Sequence, residues 1–261
     1  MNISSKETIL GIFDSGLGGL SVWSEIVRLV PNQSTIYYAD TANCPYGGKS
    51  SDEIYELTSK GVDWLLKNKA NVIVIACNTA TSAAISRLRE KYTSIPIIGI
   101  EPAIKPAAQM SSTGIVGVLA TKYTLQSDKY NLTKKTYADN TKVIEIAGEG
   151  LVELVEEGIT EGEIVESLLL KYVKPMTLKG VDTIVLGCTH YPFLIDSIKK
   201  IAGKDVTVIN PAPSVAKRVF ERMKEANIPK GKLGEYRFHS TISRAHSLKV
   251  RKRALEILNN L

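Results

Sequence analysis

The chain has 261 residues, of which 44% are hydrophobic and 23% charged, with a formal net charge of +6 and three cysteines. This is the balance of a globular protein with one large domain or two small ones. No apolar run approaches the roughly 20 residues of a membrane span, MNISSKETIL lacks the parts of a signal peptide, and three cysteines make a poor disulfide framework, so a cytoplasmic, reducing location is expected.

In chain order, TILGIF reads as a buried strand that turns through DSGLGG into the helical period of LSVWSEIVRLV. Asp14 and Ser15 sit at that turn. Its glycines lack the GxGxxG spacing and no Walker lysine follows, which argues against a nucleotide. A negative Asp14 suits a substrate ammonium or a thiol hydrogen bond; as a plain helix N-cap it would be unremarkable. The strand STIYYA ends at Asp40, and the tight turn Pro45-Tyr46-Gly47-Gly48 offers backbone N–H groups to an anion. Cys44, in the loop before Pro45, is read as structural or incidental. The helix DEIYELTSKGVDWLLKN leads to NVIVIA, which ends at Cys77 before Asn78, Thr79 and the helix ATSAAISRLREKY.

After IPIIGI and the Pro-containing stretch Ile100–Pro106, TGIVGVLA ends at Thr121, and Thr121, Thr124 and Ser127 recur every three residues. Such hydroxyls beside helix N–H groups bind carboxylates, or they simply cap and turn the chain. TKVIEIA precedes the acidic helix GEGLVELVEEG, and DTIVLG ends at Cys188, Thr189 and His190. DVTVIN, a second Pro-rich crossing at Asn210–Pro213, the edge strand EYRFHSTIS and the helix VRKRALEIL complete the order. Much of the basic excess lies at Lys230, Lys232, Arg237, Arg244, Lys249, Arg251, Lys252 and Arg253, with few aromatics interleaved. A solvated basic face is expected there rather than a nucleic-acid site. His239 and His246 lie in the same stretch and read as surface residues.

Strict βα alternation implies parallel sheets with right-handed crossovers. Three matched features, Asp14 with Thr121, Cys77 with Cys188 and Pro102 with Pro211, recur at an offset of roughly 110 residues. A duplicated chain predicts two similar α/β domains, 1–99 with 212–261 and 100–211, related by a pseudo-twofold axis around a cleft.

Each cysteine of the repeat ends a buried strand, where open α/β sheets place ligands. A helix N-terminus following each would lower its pKa and make a usable base. Two equivalent thiols facing one cleft suit a reaction that needs a base on each face of a carbon. The plainer reading is a pair of buried structural cysteines. His190, two residues beyond Cys188, suits proton exchange with that thiol near neutral pH. Cys-x-His lacks a second close ligand pair, so no metal is expected. Glu156 is a candidate acid–base partner on the Cys188 side, or a solvent-facing helical glutamate.

The segments GIFDSGLGGLSV, ADTANCPYG, ACNTAT, the Thr-rich stretch from Thr121 and LGCTHYPFL together resemble the glutamate racemase family, within the cofactor-independent aspartate/glutamate racemases. The resemblance implies two flavodoxin-like domains enclosing L- or D-glutamate, with no pyridoxal phosphate and no metal. It makes Cys77 and Cys188 the two acid–base residues, with Asp14 assisting Cys77, and His190 and Glu156 assisting Cys188. Glu156 is preferred over Glu153 and Glu157 for its spacing to Cys188. Asp14, Ser15, Tyr46, Gly47, Asn78, Thr79, Thr121 and Thr189 match substrate-contacting positions, while Ala120 stands where the family usually has glycine. A bacterial role in supplying D-glutamate for peptidoglycan follows, and a homodimer is expected. The alternatives are a racemase of aspartate or another acidic amino acid, a single-cysteine thiol hydrolase using His190, and a nucleic-acid or protein-binding module using the basic tail.

Overall fold

The structure is a computed structural model that describes residues 7–100 and 102–259. Residues 1–6 of the stretch read for a signal peptide, and Glu101 of the first Pro-containing crossing, lie outside the described residues. The first part of the chain runs β1 (Ile9–Asp14), α1 (Leu20–Leu29), β2 (Ser34–Ala39), α2 (Ser51–Lys67), β3 (Val72–Ile75), α3 (Asn78–Lys91) and β4 (Ile97–Gly99). It continues through α4 (Ile104–Met110), β5 (Ile115–Ala120), α5 (Lys122–Gln126), α6 (Asp128–Tyr137), β6 (Lys142–Ala147), α7 (Leu151–Glu156), α8 (Glu163–Leu178) and β7 (Thr183–Gly187). The order closes with α9 (Ile195–Ala202), β8 (Thr207–Ile209), α10 (Ala212–Glu225), β9 (Tyr236–Ser240) and α11 (Arg244–Asn259).

Two parallel sheets result, one ordered β4-β3-β1-β2-β9 and the other β6-β5-β7-β8. Leaving β9 aside, the orders correspond: β1, β2, β3 and β4 occupy the places of β5, β6, β7 and β8. The central strands read as unbroken apolar runs because helices cover both faces, leaving no polar side to alternate with. β2 and β3 are buried at every position.

On one face of the first sheet, α1, α10 and α11 bury Trp23, Val219, Val250 and Ala254; on the other, α2 and α3 bury Ile54, Leu65, Ala84 and Leu88. Trp23 meets the ring of Phe238 edge-on at 5.1 Å between centroids, so β9 and α11 return to the first sheet. Gly61 lets α2 lie close to β1, since a Cβ there would come within 2.4 Å of the Phe13 ring.

His239 stacks on Trp64 at 4.2 Å, and His246 Nδ1 lies 2.9 Å from Ser240 Oγ. Both are half-buried, which corrects the reading of them as surface residues; the edge strand brings them against α2 and the start of α11. Among the described residues, no helix is long and apolar enough to cross a membrane.

Candidate active site

In each sheet the chain leaves the central strand to one side, then returns to the other. The gaps between β1 and β3, and between β5 and β7, are therefore topological switch points, where the strand ends open a crevice. Asp14, Ser15 and Cys77 follow the first pair of strands, and Thr121 and Cys188 the second. The two crevices meet in one small cavity whose lining includes both thiols.

Cys77 is the N-cap of α3. Its Sγ accepts from Ala80 N at 3.4 Å and lies 3.6 Å from Ser15 Oγ. The helix end nevertheless does not win. Burial, reinforced by the charge of Asp14, pushes the Cys77 thiol up to about 12, against the lowering expected from a helix N-terminus. Cys188 departs from expectation differently. Pro192 starts a 3₁₀ turn over Tyr191–Leu194, and α9 begins only at Ile195, so no α-helix N-terminus faces this sulfur. Its polar neighbour is His190 Nδ1, 3.7 Å from Sγ.

His190 is buried, and its Nε2 lies 2.6 Å from Glu156 Oε1. Burial alone would lower its pKa. Hydrogen bonds to Cys188, Cys44 and Glu156 outweigh it and hold the imidazole well above its ordinary value. Glu156 Oε1 also accepts from Leu17 N at 2.6 Å, which ties α7 to the loop after β1, while Oε2 is buried without a hydrogen-bond partner among the described residues. Two glycines make room for this contact. A Cβ on Gly18 would come within 2.3 Å of His190 Nδ1, and one on Gly16 within 2.0 Å of Glu156 Oε1.

Asp14 is fully buried. Its carboxylate accepts from Gly16 N at 2.9 Å and Thr189 Oγ1 at 3.1 Å. Burial pushes it up to about 6, even with His190 and Gly16 N pulling the other way. It stands behind the cavity wall, whereas Ser15, Tyr46, Gly47, Asn78, Thr79, Thr121 and Thr189 line the cavity itself. Thr79 Oγ1 lies 2.9 Å from Thr121 Oγ1, joining the two halves, and Tyr46 donates to Asp40 at 2.6 Å. Asn78 stands out: among the described residues, both atoms of its buried amide lack a partner. A buried amide left so costs about 1–3 kcal/mol per group, and a ligand with both donors and acceptors would recover that.

Cys44 is the residue that reading the sequence undervalued. It packs against the Cys188 side of the site and touches His190, and burial pushes its thiol up to about 11. The signal was its place after β2, because that loop opens onto the same rim as Cys77.

Residues 10–219 match the Asp/Glu/Hydantoin racemase family. A glutamate racemase from Clostridium perfringens is 42% identical over 254 residues, covering 97% of this chain and 98% of that protein. Among solved structures, a glutamate racemase isoform from Bacillus anthracis superposes with a TM-score of 0.87 at 34% identity, covering 96% of this chain and 95% of that one. The Francisella tularensis glutamate racemase, solved in complex with D-glutamate, gives a TM-score of 0.82 at 31% identity and covers 96% and 94%.

Proposed function

This chain belongs to the Asp/Glu/Hydantoin racemase family, and from that membership we propose that it interconverts L- and D-glutamate by moving the α-proton between two thiols. One observation carries the reading: two buried cysteines, one from each sheet, line a single small cavity. The α-proton of an amino-acid carboxylate is very weakly acidic, because the carbanion shares charge with an existing anion. The site must therefore present preorganised donors and exclude water. Ser15, Asn78, Thr79, Thr121 and Thr189 supply neutral donors, which avoid overstabilising the ground-state carboxylate as an arginine would.

In one turnover the thiolate on one face removes the α-proton, and the thiol on the other delivers its own to the opposite face. The C–H bond broken is replaced by another, and the thiolate and thiol exchange places. His190, steadied by Glu156, handles the proton on the Cys188 side. Asp14 orients Thr189 and the loop after β1, and its nearby charge favours the protonated form of Cys77. A solvent-facing hollow that shares Pro45, Gly47, Thr121 and Val152 with the cavity is the entry route.

The same reading divides the chain into a first domain, 1–99 with 212–261, and a second, 100–211. It sets the protein in the cytoplasm as a homodimer that supplies D-glutamate for peptidoglycan. The test is to incubate protein free of added cofactors with L-glutamate in D2O, following chirality and α-deuterium together. D-glutamate carrying deuterium is the expected product. Exchange from aspartate alone would move the substrate to another acid, and no exchange from either would overturn the racemase reading.

A further inference from the structure

Cys44, Glu156 and His190 come from three separate parts of the chain, the loop after β2, the end of α7 and the turn after β7, and their donor atoms all lie within 4.8 Å of one another. These ligands are far apart along the chain, so no spacing pattern marks them as a metal site. A thiol, an imidazole and a carboxylate form the mixed S, N and O set that zinc takes with three protein ligands and an open fourth position. A second observation is independent of that spacing. Glu156 Oε2 is buried without a partner among the described residues, although its sister oxygen already holds Leu17 N and His190. Cys44 and Glu156 are half-buried, so an ion has a way in, while His190 is buried.

We propose that Cys44, Glu156 and His190 form an inhibitory site for zinc or a similar thiophilic divalent cation. Sγ of Cys44, Nε2 of His190 and a carboxylate oxygen of Glu156 donate to the metal, and water fills the fourth position. The protons of the Cys44 thiol and of His190 Nε2 leave to solvent as the coordinate bonds form, so binding tightens as pH rises. The alternative of zinc between Cys77 and Cys188 would use the substrate cavity itself. The proposed site adjoins it and shares only His190 with its lining, the residue that serves Cys188. Inhibition follows on the two-thiol reading, because a metal-bound His190 no longer exchanges protons with Cys188, and excess glutamate should not relieve it.

The test reads binding without turnover, so its failure is separate from any failure of the racemase reading. Titrate the reduced protein with Cd2+ and follow the sulfur-to-cadmium charge-transfer band, then with Zn2+ by calorimetry. One equivalent per chain is expected, with the band kept in Cys77→Ser and lost in Cys44→Ser, and with zinc affinity lowered at least about tenfold in Glu156→Gln. Near-ultraviolet circular dichroism checks that each variant is folded. A band kept in Cys44→Ser and lost in Cys77→Ser would place the metal between the two cavity thiols and overturn the proposal. So would the absence of stoichiometric binding by the unmodified protein. In turnover assays, zinc inhibition should be non-competitive with glutamate, and each variant is compared with its own zinc-free rate.

Discussion

At the scale of single residues, the two thiols share a role and live in unlike surroundings. Cys77 keeps its proton under burial and the nearby Asp14 charge, and Cys188 faces an imidazole. Cys77→Ala and Cys188→Ala should each lower interconversion by at least about 10²-fold, the lower end of what a positioned acid–base group contributes, with near-native circular dichroism. Full turnover by either variant would sink the two-base mechanism. Asp14 makes a stability prediction. Its folded value is raised from 3.8 to about 6, so between those values the folded chain binds more protons than the unfolded one, and stability falls as pH rises through the window. The loss attributable to this group approaches about 3 kcal/mol above pH 6. Asp14→Asn should flatten that part of the curve, which urea midpoints at several pH values across the window would reveal. Parallel curves for the two proteins would count against it.

The elements explain how much of this was legible in advance. Apolar β-branched runs ending in Asp14, Cys77, Thr121 and Cys188 exposed the parallel strands and their functional ends, because a strand covered on both faces has no polar side to confuse the pattern. The electrostatics of those ends were not legible. Whether a thiol sits at an α-helix N-terminus depends on how the next few residues wind. Pro192 put a 3₁₀ turn after Cys188, while burial overrode the helix end at Cys77. Nor does spacing along a chain reveal that Cys44 and His190 touch, since their elements belong to different sheets. Close backbone approach gives a test at this scale. Gly18→Ala, whose Cβ would meet His190 Nδ1 at 2.3 Å, should cut activity sharply at modest cost in stability. Gly61→Ala, pressing on Phe13, should leave the site's chemistry alone and lower stability by about 1–3 kcal/mol. Activity assays beside denaturation curves separate the two, and similar profiles for both would show that Gly18 is merely structural.

Across the whole molecule, the two sheets repeat one topology and are stitched together at the cavity by Leu17 N to Glu156, Thr189 to Asp14, Ser21 to the Thr189 carbonyl, and Thr79 to Thr121. A substrate that fills the cavity and engages the Asn78 amide adds ties of the same kind. Glutamate at a hundredfold excess over its Kd should therefore raise the unfolding free energy by about 2.7 kcal/mol. An unchanged melting temperature at saturation would mean that the folded chain does not hold the acid.

The contrast between the two thiol environments also bears on the kinetics. Enantiomers have equal free energy in water, so the equilibrium constant of their interconversion is one and kcat/KM must be identical in the two directions. Unequal flanks therefore cannot favour one enantiomer at low substrate. They can only divide the shared quotient differently, giving a higher kcat with a proportionately higher KM for one hand. A substitution on one flank alone, such as Glu156→Gln, should lower both quotients equally while shifting the two kcat values apart.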